Sequence, residues 1–310
     1  MRRRDIFSQI HPAGKLILAA LVSFTIFILF FIISILVAIP VFKINIADLQ
    51  TIAVDVNNLQ NVNILKFFQI IQSLGLFVVP PFIIAWLVAS KAMDFLGLKR
   101  KPLLSSVLFS IIIVIIGLPV INYLGEINAN IKLPSFLSGM ENWMMNQEEQ
   151  YKVLTERLLE ANNISTLLLN IFMIAILPAI GEELAFRGVL QQILASWFKN
   201  KHWGIVVTAF IFSAIHMQFY GFIPRFVLGL YLGYLFVWSG SLWLPIVAHF
   251  FNNFAAVLFY FLADKKVVDK SVENYGTEGN AFYAVIISAA VIMMLLYVLQ
   301  RREKQRLVKL

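Results

Sequence analysis

The sequence predicts an all-α, polytopic membrane protein, and three observations carry that prediction. Of the 310 residues, 60% are hydrophobic and only 14% are charged. Apolar runs long enough to cross a bilayer recur along the whole chain. The basic residues gather in short flanks between those runs. A soluble protein of this length has too much polar surface for such values. The net charge of +8 therefore reads as membrane topology and attraction to anionic headgroups, and no nucleic-acid partner is expected. Cysteine is absent, which excludes disulfides, a thiolate nucleophile and a Cys-based zinc site.

Taken in order, the first fifteen residues, "MRRRDIFSQIHPAGK", precede an apolar run from Leu16 to Ile39. That run is too long for a signal-peptide core and has no small-residue cleavage site, so it is expected to be a retained span. A hydrocarbon core about 30 Å thick needs about 20 apolar residues per helix. Spans are accordingly expected at 16–40, 67–89, 103–124, 165–187, 204–219, 222–238, 242–262 and 281–299, eight in all. The fifth and sixth are short and joined by the tight turn "QFYGFIPR", so one broken or re-entrant element is the alternative there. Arg2, Arg3, Arg4 and Lys15 put the N-terminus in the cytoplasm. Eight crossings then leave the basic segments "SKAMDFLGLKRKP", "FKNKHW" and "RREKQRLVK" inside. Asp48, Asp55, Glu141, Glu148, Glu149, Glu156 and Glu160 fall outside. The expectation is one integral domain over residues 1–310 in the plasma (inner) membrane, with both termini cytoplasmic.

Residues 126–163 form the long polar insertion. Trp143, Met144, Leu154, Leu158 and Leu159 recur there at helical spacing among acids. This predicts an amphipathic extracytoplasmic helix between spans 3 and 4, lying on the outer membrane surface. A lid over a substrate is the other reading. Gly229 and Gly233 form a GxxxG, expected to serve close packing inside the bundle rather than dimerisation.

Ionisable groups at membrane depth are costly and normally face a protein interior or a wet cavity. "AILPAIGEELAFRGVL", residues 175–190, places Glu182, Glu183 and Arg187 in an apolar helix. His216 and His249 sit in "FIFSAIHMQF" and "LWLPIVAHFFNNF" with no charged neighbour along the chain, whereas His11 and His202 lie in polar flanks. Residues four apart share a helix face and neighbours point about 100° apart. Glu183 can thus pair with Arg187, leaving Glu182 without a local partner. The same spacing puts His249 and Asn253 on one face, with Asn252 on another; Phe212, one turn before His216, reads as packing. At 1.5 Å rise per residue, His249 lies about 10 Å in from Ser241 and His216 about 20 Å in from Trp203. Glu182 joins them in depth if the fourth helix runs on towards Phe198, with Pro178 and Gly181 allowing a bend before the acids.

A carboxylate and an imidazole aimed at one water can deprotonate it. A second imidazole and an amide can stabilise the oxyanion formed when that water attacks a carbonyl. Alternatively, Glu182, His216 and His249 could hold zinc, which would activate the water itself. No HExxH helix is present.

"EELAFRG", "FSAIH" and "HFFNN" resemble, in order, the EExxxR, FxxxH and HxxxN motifs of the CAAX protease and bacteriocin-processing (CPBP, Abi) family of intramembrane proteases. The run-up "GSLWLPIVAHFFNN" is also similar, and the resemblance covers a core of about 165–263. It implies an intramembrane endopeptidase acting on a membrane-associated peptide or protein. Glu182 and His216 would activate water, His249 and Asn253 would stabilise the oxyanion, and Glu183 and Arg187 would support the site. It leaves open whether a metal takes part. A non-catalytic immunity or scaffold protein would be expected to lose a motif residue, and none is missing. A transporter would more often show repeat symmetry, whereas these polar residues cluster between 182 and 253.

Overall fold

In a computed structural model, the chain is an all-α helix bundle, with residues 7, 9–269, 275–277 and 282–308 described. Arg2, Arg3, Arg4 and Lys309, which entered the charge argument, lie outside those residues. Helix α1 spans Pro12–Phe42; His11 caps it, its Nδ1 accepting from the Ala13 amide at 3.2 Å, and Pro12 opens its first turn. Helix α2 is Leu59–Val88. Next come α3, Leu104–Ile116, and α4, Leu118–Ala129, which meet at a 49° bend. Pro119 has no N–H for the Ile115 carbonyl, so the helix breaks beside Gly117. Helix α5, Ser138–Leu159, is the expected amphipathic helix. Helix α6 runs unbroken from Ile164 to Phe198, capped by Asn163 Oδ1, which accepts from Thr166 N at 2.9 Å. The bundle closes with α7, Lys201–Ala214, α8, Phe222–Ser239, α9, Trp243–Asp264, and α10, Phe282–Val308.

The span count differs from the eight expected. Among the described residues six helices are long and apolar enough to cross a membrane, and the bent α3–α4 pair makes a seventh. The segment expected at 204–219 is the fourteen-residue α7. At 1.5 Å per residue it covers about 21 Å, short of a hydrocarbon core of about 30 Å. Met217 ends this stretch in a left-handed conformation, φ 53°, and turns the chain into α8. The chain is nonetheless an integral, polytopic membrane protein.

A wide π-turn stands just before the place where Pro178 and Gly181 would allow a bend in α6. It spans Ile171–Ile176, and a similar turn in α2, Leu74–Val78, precedes Pro80 and Pro81. A proline leaves the carbonyl four residues earlier without its helical donor, and a wider turn carries the helix past that gap. Helix α6 consequently continues through the acids. Glu182 lies about 24 Å from its Phe198 end and about 27 Å from its Ile164 end.

Two ends of the bundle differ in character. At one end the 95–100 loop, Ser239, Ser241 and α10 are tied together: Ser241 Oγ donates to Arg100 O at 2.5 Å, and Arg306 donates to Ser239 O and Lys101 O. At the other end, Leu158 of α5 is buried with Val62 of α2 and Met173 of α6. There Lys66 Nζ, 3% exposed, donates to Asn170 Oδ1 at 2.8 Å, and Asn170 Nδ2 donates to Leu159 O at 2.9 Å.

The GxxxG of α8 serves packing within the chain, as expected. A Cβ on Gly229 would lie 2.9 Å from Ala209 Cβ, and one on Gly233 2.8 Å from Ile205 Cγ2, so α7 and α8 meet nearly backbone to backbone. Gly229→Val should therefore force these helices apart and destabilise the protein by about 1–3 kcal/mol. Reversible unfolding in detergent measures this, and an unchanged transition would contradict the packing.

Candidate functional site

Helix α6 supplies the centre of the site. Glu183 and Arg187 are both fully buried, and Arg187 Nη1 donates to Glu183 Oε1 at 2.7 Å, the one-turn pairing that the spacing predicts. Arg187 Nη2 donates to the Gly229 carbonyl on α8 at 3.0 Å, and its guanidinium lies 4.8 Å from the centre of the Phe212 ring on α7. One turn on, Gln191 Nε2 donates to the Gly233 carbonyl at 3.2 Å. The glycines that permit close packing thus also bare two carbonyls to α6.

Helix α9 brings in His249, 3% exposed, whose Nδ1–H donates to Glu183 Oε1 at 2.8 Å. One carboxylate oxygen therefore binds both the guanidinium and the imidazole. The opposite ring nitrogen, Nε2, faces Glu182 Oε2 across 3.9 Å, beyond direct hydrogen bonding. Glu182, its side chain 15% exposed, has no hydrogen-bond partner among the described residues, whereas Glu183 is doubly engaged.

His216 stands where α7 ends. Its Nδ1 is 2.7 Å from the Phe212 carbonyl. A carbonyl only accepts, so Nδ1 carries the hydrogen and Nε2 keeps its lone pair. Phe212, 2% exposed, packs by ring edges against His216 at 5.1 Å, His249 at 6.0 Å and Phe186 at 5.2 Å. No hydrogen bond or ion pair joins His216 to Glu182 or His249 among the described residues.

Asn253, one turn beyond His249, donates Nδ2 to the Ile174 carbonyl at 3.1 Å. Ile174 is the residue whose helical donor Pro178 removes, so this amide satisfies the acceptor that the proline frees. Asn252 donates to Asn253 Oδ1 at 3.1 Å and itself lines a small apolar cavity beside α3 and α10.

Sequence reasoning missed one residue at this site. Arg225, in the first turn of α8, lies within electrostatic reach of Glu182 and His216. It appeared only as the end of "QFYGFIPR", and nothing along the chain marks its proximity to Glu182 on another helix.

Zinc on Glu182, His216 and His249 is the alternative that the sequence leaves open. Among the described residues no three His, Asp or Glu side chains stand close enough together to share one metal ion. Glu182 and His249 face one another across 3.9 Å, and His216 is not part of that pair.

The geometry agrees with a partial family match. Residues 164–255 match the type II CAAX prenyl endopeptidase Rce1-like family. That stretch holds Glu182, Glu183, Arg187, His216, His249 and Asn253, and leaves α1 to α5 outside. The chain is also similar to the uncharacterized protein YpbD of Bacillus subtilis (strain 168), 33% identical over 85 residues. That similarity covers 26% of this chain and 40% of the relative's length. No solved structure matches significantly.

The buried pair gives a direct test. Arg187→Met leaves Glu183 buried without its cation and should cost about 3–5 kcal/mol, the range for breaking a buried ion pair. Adding Glu183→Gln to it should recover part of that loss, read as unfolding midpoints in a mild-to-harsh detergent titration. A double variant less stable than Arg187→Met alone would contradict the pairing.

Proposed function

We propose that this chain is an intramembrane endopeptidase that hydrolyses a peptide bond of a membrane-associated peptide or protein. The observation that carries the reading is the asymmetry of the two acids. Glu183 is held by Arg187 and His249, while Glu182 makes no hydrogen bond among the described residues and faces His249 Nε2 across 3.9 Å. A carboxylate already bound to two donors is a poor proton acceptor; its neighbour is the better base. The family match over the same helices supports the reaction class.

In this mechanism Glu182 takes a proton from water as the water oxygen bonds to the scissile carbonyl carbon. His216, with its lone pair fixed on Nε2, is the second acceptor aimed at that water. The oxyanion that forms is stabilised by His249, whose Nε2 donates when the ring carries both protons, and by the second amide hydrogen of Asn253. Glu182 then returns its proton to the leaving nitrogen as the C–N bond breaks. Glu183 and Arg187 hold His249 in place. No step passes through a metal.

The same reading sets the protein in the plasma (inner) membrane, with α7 and α8 as a hairpin, both termini cytoplasmic and α5 outside. Reporter fusions at 55 and 150 should then report outside, and at 95 and 305 inside.

Incubating the purified protein with membrane peptides and mapping cleavage by mass spectrometry tests the activity. Glu182→Gln should abolish cleavage in a folded protein. Asn253→Ala should lower turnover about a hundredfold or more with substrate affinity little changed. Chelation should leave the rate unaltered. Full activity in Glu182→Gln, or stoichiometric zinc lost together with activity in His249→Ala, would overturn the assignment.

A further inference from the structure

Arg225 is a cation without a bonded carboxylate. In the first turn of α8 it sits where the helix dipole disfavours positive charge. Its guanidinium donates to the Gln218 carbonyl at 3.0 Å and to Gln218 Oε1, and no ion pair holds it among the described residues. It folds back over Gly221, where an added Cβ would lie 2.8 Å from both Nη atoms and push the guanidinium aside. The turn beneath is pinned by Asn128, which accepts from Ile223 N at 2.6 Å and donates to Phe219 O at 2.8 Å. This construction fixes a guanidinium within electrostatic reach of the proposed base.

The charge facing Arg225 from the other side belongs to α5. Glu148 lies within electrostatic reach of Arg225, and its Oε2 is buried without a hydrogen-bond partner. Tyr220 and Glu141 share that neighbourhood. Trp143, one turn and a half earlier on α5, packs on Phe219 with ring centres 5.5 Å apart. Helix α5 is anchored firmly at its far end: Arg157 donates to Asn57 Oδ1 at 2.9 Å, Tyr260 to Glu156 O at 3.2 Å, and Leu158 is buried. Its first half exposes Met140, Trp143 and Met145. The helix is held at one end and rests its other half over the turn that carries Arg225.

We propose that Arg225 recognises a carboxylate on the substrate, and that Glu148 on α5, which faces this charge without an ion pair, competes with the substrate's carboxylate for it, so that binding lifts the first half of the helix. The proposal rests on the endopeptidase reading for the word substrate, but its chemistry is binding. An arginine fork matches a carboxylate geometrically, and a half-buried guanidinium near a membrane site gains more from such a partner than one in water. Arg225 is thereby a specificity-determining residue, and Glu148 an internal competitor.

The chain has no cysteine, so spin labels at Met145→Cys and Ile164→Cys report the position of α5 against α6 without touching the site. The probes are an apolar peptide amide bearing one Glu, its Gln counterpart, and the Gln peptide with a free C-terminal carboxylate. Glu148→Gln should broaden or lengthen the distance distribution without any peptide. The Glu peptide should do the same in the unsubstituted protein, and the Gln amide should not. A response to the free-terminus peptide alone would assign the site to a terminal carboxylate, and a response to the Glu amide alone to a side-chain one. Arg225→Gln should raise the peptide concentration needed by at least about tenfold. Gly221→Val, which displaces the guanidinium but keeps its charge, should weaken the response in the same direction. Equal responses to the Glu and Gln amides and to the free-terminus peptide, or an undiminished response in both variants, would overturn the proposal. Peptide-driven movement without cleavage would sink the endopeptidase reading and leave this one standing.

Discussion

A fully buried arginine in a membrane helix sets the terms for the rest of this structure. Taking Arg187 out of water costs several kcal/mol unless a partner and hydrogen bonds accompany it. Glu183 supplies the charge from one turn away, but a guanidinium has five donors, and α6 offers it no further acceptor. The Gly229 carbonyl does, which requires α8 to lie against α6 without an intervening side chain. Glu183 in turn draws in His249 from α9. Three helices are thereby fixed around one ion pair, and the proposed base Glu182 is left beside it without a hydrogen bond among the described residues, facing His249 Nε2.

The second constraint is backbone supply. In lipid an unpaired carbonyl costs several kcal/mol, so each proline must be answered. Helix α6 answers Pro178 with a π-turn and with the Asn253 amide on the Ile174 carbonyl. A third π-turn, Phe186–Leu190, carries Arg187 itself. Wide turns shift the face on which later residues emerge, so the direction of Glu182 and Arg187 depends on them. The Asn253 contact ties α9 to α6 two turns above the acids and sets the height of His249 opposite Glu182.

The arrangement also separates the two ends of the bundle. At the basic end the loops are bonded to one another and to α10. At the α5 end the bundle is closed over Phe219 and Arg225 by half a helix with few contacts. An active site in a membrane needs water and a way in for its substrate, and weakly held elements are the ones that move. If the proposed activity holds, the first half of α5, over Phe219, is the natural mouth of the site.

Composition alone pointed to a membrane helix bundle, and helical spacing alone allowed Glu183 to meet Arg187 and put His249 on one face with Asn253. Those are local matters: 3.6 residues per turn fixes which side chains meet along one helix, whatever surrounds it. Hydropathy located each long helix, since about 20 apolar residues must cross the bilayer. It overcounted at 204–219, because apolar character continues past Met217 while the backbone turns. What lay beyond reach was every relation between helices. That His249 bonds Glu183, that Asn253 serves the carbonyl freed by Pro178, and that Arg225 comes within electrostatic reach of Glu182 and Glu148 are all relations between helices. Those depend on which helices touch, and only the tertiary structure decides that.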